Sequence, residues 1–192
     1  TSLATGEWPA QHSVVGWWTH LPVLDAAATV LQFQRRYDER PLEELGVKIE
    51  EAFPVAPLLG RATRDTLFLL PAAIVDSRYS RYTSAGSART GYRTLREAGA
   101  TLLERVHNAR HPTFTYLYTS RLDAAAHELG TARSEVWSEI AQIEEFVESI
   151  AHRIDKETRL VVTADHGHLD APVGFRHQLR EGSVLAAAQR NP

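Results

Sequence analysis

Two short stretches of this chain set a carboxylate near an imidazole, and either pair could help hold a metal ion. The first is Asp165-His166-Gly167-His168, reached directly from the apolar, β-branched run Leu160-Val161-Val162-Thr163-Ala164. A buried strand ending there would fix the backbone, while Asp165 offers a hard oxygen and His166 a borderline nitrogen. Adjacent residues on a regular strand point to opposite faces, so the chain must leave the strand for both to reach one ion. Gly167 supplies the freedom to turn. The second pair is Asp123 and His127, four residues apart with three alanines between them. On a helical turn these side chains share a face, and the alanines let another segment approach closely.

Each pair has a plainer reading. Asp165 could cap a polar turn, and Asp123 could be a helix N-cap with His127 on the surface. The order favours the metal: each pair follows its own strand-like run, and a helix lies between them.

Those elements must do the positioning. Residues 114–118 (Phe-Thr-Tyr-Leu-Tyr) read as the strand before Asp123. Over residues 131–153 the spacing predicts a long amphipathic helix. Val136, Ile140, Ile143, Phe146, Val147, Ile150 and Ile154 recur at intervals of three and four, with Glu139, Glu144, Glu145 and Glu148 mostly elsewhere. Residues 160–164 then complete the strand-helix-strand unit of a parallel sheet, with a right-handed crossover. Ligands gather at the carboxyl ends of such strands, where both pairs fall. Upstream, residues 67–70 read as a brief buried strand. A helix is expected from about Thr90, with Tyr92, Leu95, Leu102, Leu103 and Val106 on its apolar side, ended by His111-Pro112. Pro57 opens a short helix over 57–62. Residues 14–18 read as a strand or extended entry, 42–52 as partly helical, and 22–34 stay open between helix and strand.

Composition places these motifs in one ordinary core. At 192 residues, 43% hydrophobic and 23% charged, the chain suits a single domain over 1–192. A net charge of −3 gives no electrostatic footprint for nucleic acid or anionic membranes. With no cysteine, disulfides and thiolate metal sites are excluded, leaving carboxylate and imidazole as ligands. No apolar run approaches a membrane span, since residues 67–75 are short and broken by Pro71.

The two motifs, in order, resemble the nucleotide pyrophosphatase and type I phosphodiesterase family of the alkaline-phosphatase-like superfamily. That family shows Asp-x-x-x-His with a nearby Gly, then a helix, then a strand finishing in Ser/Ala-Asp-His-Gly. Both occur here, over 123–130 and 164–167. The stretch Thr5-Gly6-Glu7-Trp8-Pro9-Ala10-Gln11-His12-Ser13-Val14 is similar to the family's Thr-Gly-x-x-Pro-x-x-His-Gly-Val/Ile, with Ser13 where Gly is usual. Tyr79-Ser80-Arg81-Tyr82-Thr83 and Gly91-Tyr92 match further family positions, so the similarity runs through most of the chain.

The resemblance implies an α/β, alkaline-phosphatase-like sandwich: a mostly parallel sheet with helices on both faces, incomplete at both ends. It implies two divalent metal ions, zinc by the family's habit, one on Asp123 and His127 and the other on Asp165 and His166. In the family one ion lowers the pKa of a Thr or Ser nucleophile, and the other stabilises the opposite oxygen of an in-line displacement at phosphorus. The implied substrate is a small phosphate ester or nucleotide. His168 and His12 are expected to support ligands or shape loops, and His177 stays without a defined role. The family's nucleophile and one Asp ligand would precede Thr1, and a late His ligand would follow Pro192. The chain is therefore expected to be an internal piece with little hydrolysis of its own. Thr1, Ser2 and Thr5 are out of register as replacement nucleophiles. Two alternatives to a phosphodiesterase stay open: another reaction of the superfamily, such as a phosphomonoesterase, phosphonate hydrolase or phosphomutase, and a catalytically silent scaffold.

Overall fold

The computed structural model describes residues 1–175, in two compact units. The first comprises Thr1–Arg61 and Asp76–Gly86. It opens with two single-turn helices, α1 (Ser2–Thr5) and α2 (Pro9–His12). An antiparallel meander follows, β1 (Thr19–Leu21), β2 (Ala26–Thr29) and β3 (Gln34–Arg35), with Thr19 opposite Ala28 and Ala28 opposite Arg35. The stretch 22–34 thus resolves into turns and short strands. Alanine-rich β2 carries no alternation that could have announced it. Val30, Phe33, Leu42 and Phe53 form the core of this unit, with α3 (Ile49–Ala52) alongside. Tyr79 and Tyr82 of α4 (Arg78–Ser84) pack on that core, and Tyr82 stacks on Phe53 with ring centroids 4.6 Å apart. Ser77 caps α4, its Oγ accepting the Ser80 amide at 3.1 Å.

The second unit comprises Ala62–Val75 and Ser87–Ala171. Its centre is β4 (Asp65–Pro71), flanked by β5 (Ala88–Tyr92) and β6 (Thr113–Leu117) in an all-parallel sheet of order β5-β4-β6. The run from Thr66 to Leu70 is buried on both faces, which is why it reads as continuous hydrophobicity and not as alternation. Helix α5 (Leu95–Asn108) connects β5 to β6, and Leu95 and Ala98 bury against Leu67, Leu69 and Tyr92. Helices α6 (Arg121–Leu129) and α7 (Ser134–Ala151) follow. The α7 stripe is as the spacing predicts: Val136 and Ile150 are buried, and Ile143 and Phe146 pack on the sheet core. Gly99 lets α7 come close, since a Cβ there would sit 2.9 Å from the Phe146 ring.

Two expectations need correction. Residues 88–92 are strand β5, and the helix begins at Leu95 instead of Thr90. The cap fixes that start: Thr94 Oγ1 accepts the Glu97 amide at 3.2 Å, and the Glu97 carboxylate accepts the Arg93 amide at 2.8 Å. The predicted strand at 160–164 is also absent. The segment joins no ladder, and Val161 and Val162 are 73% and 63% exposed. Strand preference measures how well a side chain suits a pleated, half-buried surface, and without a neighbouring strand it builds no sheet. The described part of the sheet ends at β5 and β6.

A candidate metal centre at the start of α6

Helix α6 starts just past the carboxyl end of β6, the rim where parallel sheets present their ligands. It is fastened to its neighbour by Arg121, whose guanidinium donates to Glu139 at 2.7 Å and Gln142 at 3.1 Å on α7. Asp123 lies in its first turn and His127 one turn later, with Asp123 Oδ1 3.5 Å from His127 Nε2. The i, i+4 geometry expected from the sequence is therefore present.

The later motif comes to the same carboxylate. His166 Nε2 lies 3.6 Å from Asp123 Oδ1 and 3.8 Å from Asp165 Oδ2. His168 Nε2 lies closer still, 3.0 Å from Asp123 Oδ1. The three imidazoles cluster edge to face, with the His168 ring centroid 4.8 Å from that of His127 and 5.2 Å from that of His166. Asp123, His166 and His168 each offer a ligand atom, all within 4.8 Å of one another. The structure thus gathers Asp123, His127 and His166 directly, and Asp165 through His166. The grouping differs from two separate pairs, because Asp123 is the hub for both motifs. His168, expected to support a ligand or shape a loop, hydrogen-bonds the hub itself.

Tautomers follow from the hydrogen bonds. His166 Nδ1 sits 3.0 Å from the Gly167 carbonyl, so it donates, and the neutral ring keeps its Nε2 lone pair on the Asp123 side. The Gly167 carbonyl, and then the Asp165 and Asp123 carboxylates, push this imidazole above its ordinary pKa. An Nε2 lone pair facing a carboxylate is unfavourable unless a proton or a cation lies between them. The edges that meet at Asp123 have the length a borderline divalent ion requires. Tetrahedral zinc with bonds of about 2.0–2.1 Å needs ligand atoms about 3.3 Å apart. The three separations that meet at Asp123, 3.0 to 3.6 Å, bracket that edge, while the ligand atoms of Asp123, His166 and His168 lie within 4.8 Å of one another.

His12 has a different role, within the first unit. It is 1% exposed, its Nδ1 accepts the Val14 amide at 3.1 Å, and its Nε2 lies 2.9 Å from Ser2 Oγ. It shapes the loop that follows α2. Ser13 comes next, with φ of 63°, in the left-handed region. His177 lies outside the described residues. Asp170, which the motifs did not flag, accepts from Thr131 at the α6–α7 connection. Among the described residues no helix is long and apolar enough to cross a membrane.

The sequence profile described as type I phosphodiesterase / nucleotide pyrophosphatase matches residues 1–186. No curated protein matches the chain. Among solved structures, the chain is similar to murine ectonucleotide pyrophosphatase / phosphodiesterase 5, an inactive variant in complex with AMP. The TM-score is 0.51 at 14% identity, over 79% of this chain and 38% of that one. The likeness establishes the alkaline-phosphatase-like α/β fold; the chain spans well under half the length of that protein.

Proposed function

The chain belongs to the type I phosphodiesterase / nucleotide pyrophosphatase family, and from that premise we propose that it carries the metal centre of a hydrolase cleaving phosphodiester or pyrophosphate bonds. Both units are read as parts of one catalytic domain. The observation behind this reading is the convergence on Asp123 of two motifs some 40 residues apart. Three imidazole nitrogens within 3.6 Å of one carboxylate oxygen form a donor set that a shared cation would satisfy.

In this reading Asp123 with His127, and Asp165 with His166, would hold two divalent ions, zinc by the mixed oxygen and nitrogen donor set. Such ions, when bound, lower the pKa of a hydroxyl nucleophile and stabilise the oxygens at phosphorus. The residues of the chain prepare the place. Gly167 fixes the His166 tautomer through its carbonyl, and Arg121 holds α6 in position. No residue of this chain is assigned as the nucleophile. Ser2 is unsuited to it, because the ring beside it presents a proton, not a lone pair. A nucleotide is the proposed substrate, in keeping with the AMP bound by the murine protein.

The test is hydrolysis of bis-p-nitrophenyl phosphate against p-nitrophenyl phosphate by the full-length protein. The proposal expects the diester to be preferred, and Asp123→Asn or His166→Ala to reduce turnover by a factor of about 100 or more. Preference for the monoester, or full activity in Asp123→Asn, would reject it.

A further inference from the structure

We propose that Asp170 is a positioning residue for the metal centre, its carboxylate locking the loop that bears His166 and His168 onto the far end of α6. The inference rests on the metal-binding reading above. Asp170 takes both donors of Thr131: the amide lies 3.0 Å from each carboxylate oxygen, and the hydroxyl donates to Oδ2 at 2.9 Å. Thr131 follows Gly130, whose φ of 83° turns the chain sharply out of α6. The lock therefore grips the C-terminal end of the helix whose first turn carries Asp123.

The second grip is at the other end, where His168 meets Asp123 at 3.0 Å. Thr131 lies eight positions beyond Asp123, about 12 Å at helical rise. One grip would leave the loop free to pivot. Two grips set its position and its direction across α6, and so the angle at which His166 meets Asp123.

The loop requires such fixing. Its approach, 160–164, lies outside the sheet, Asp165 and His166 are exposed, and a Cβ added at Gly167 would meet nothing within 4 Å. A strand end cannot hold this motif here in the way the sequence pattern suggests. A carboxylate on two donors of one residue is the kind of charge-assisted, geometrically specific contact that can. Partners of this sort, one step away from the ligands, typically change metal affinity by a factor of about 10–100.

The experiment is zinc competition against a chromophoric chelator, with amide exchange, on the full chain carrying Asp170→Ala or Asp170→Asn. Asp170→Ala is expected to weaken zinc binding by about 10–100-fold and to speed exchange at the Thr131 amide, with the far-ultraviolet dichroism unchanged. Asp170→Asn keeps one carbonyl oxygen for that amide and should fall between the alanine variant and wild type. If the alanine variant does not fold, the asparagine variant carries the test. Wild-type zinc affinity in a folded variant overturns the proposal while leaving the metal centre intact. A wild-type chain that takes up no zinc overturns the metal-centre reading, and this inference with it.

Discussion

The Nε2 of His12 lies 2.9 Å from Ser2 Oγ, and the direction of that hydrogen bond is set at the opposite side of the ring. Nδ1 accepts the Val14 amide, so the proton of the neutral ring is on Nε2 and is donated to the serine. The pair looks like a nucleophile and its base but is wired the other way. It fastens α1 to α2.

A pH dependence follows from that wiring. Burial, the largest cause, holds the His12 pKa below its ordinary 6.5. A group whose folded pKa is depressed binds protons more readily in the unfolded chain. Its contribution is therefore complete above about pH 6.5 and is lost as pH falls through the folded value. Urea unfolding should show stability declining from pH 7 toward pH 5. Replacing His12 with Ala should cost about 2–4 kcal/mol at pH 7, from the cavity and the unpaired Val14 amide. That difference should narrow in acid. A constant difference between the two proteins across this range would contradict the assignment.

Ser13 stands where the related family usually has glycine, and its φ of 63° gives the reason for that preference. A left-handed L-residue costs about 1–2 kcal/mol, and glycine returns about 0.5–1 kcal/mol of that through its greater loss of freedom on folding. Relief outweighs the entropy. Ser13→Gly should raise stability by about 0.5–1 kcal/mol in thermal unfolding. A loss of stability would show that the Ser13 side chain contributes more than its backbone strain costs.

The position of 160–164 outside the sheet can be checked by comparing two apolar residues that look alike in the sequence. Leu69, at the centre of β4, is completely buried, whereas Val162 is 63% exposed. Leu69→Ala should cost about 3–5 kcal/mol. Val162→Ala should stay within about 0.5 kcal/mol, and the amides of 160–164 should exchange quickly. A cost at Val162 comparable to that at Leu69 would place the segment back in a sheet.

What the sequence showed, and what it hid, divides along a physical line. Helix α7 was legible because Val136, Ile143, Phe146 and Ile150 repeat with the helical period and all face the core. Strand β4 was legible as an uninterrupted buried run, and Asp123 with His127 as an i, i+4 pair. Strands β2 and β5 were not. Ala26–Thr29 offers almost no side-chain contrast, and Ala88–Tyr92 has glycine and arginine where a pattern would be sought. The run 160–164 misled for the opposite reason, since it has strand composition without a strand neighbour. The convergence of Asp123, His166 and His168 is tertiary, and no spacing encodes which carboxylate becomes the hub. Asp170 had no local signal; its contact with Thr131 reveals it.

Zinc uptake by the folded chain, measured by equilibrium dialysis with elemental analysis for wild type and Asp123→Asn, decides whether Asp123 is the hub of a metal centre. Wild type should bind stoichiometric zinc, and Asp123→Asn should lose affinity by about 100-fold or more with the fold retained. Zinc bound equally well by both proteins, or by neither, would contradict it.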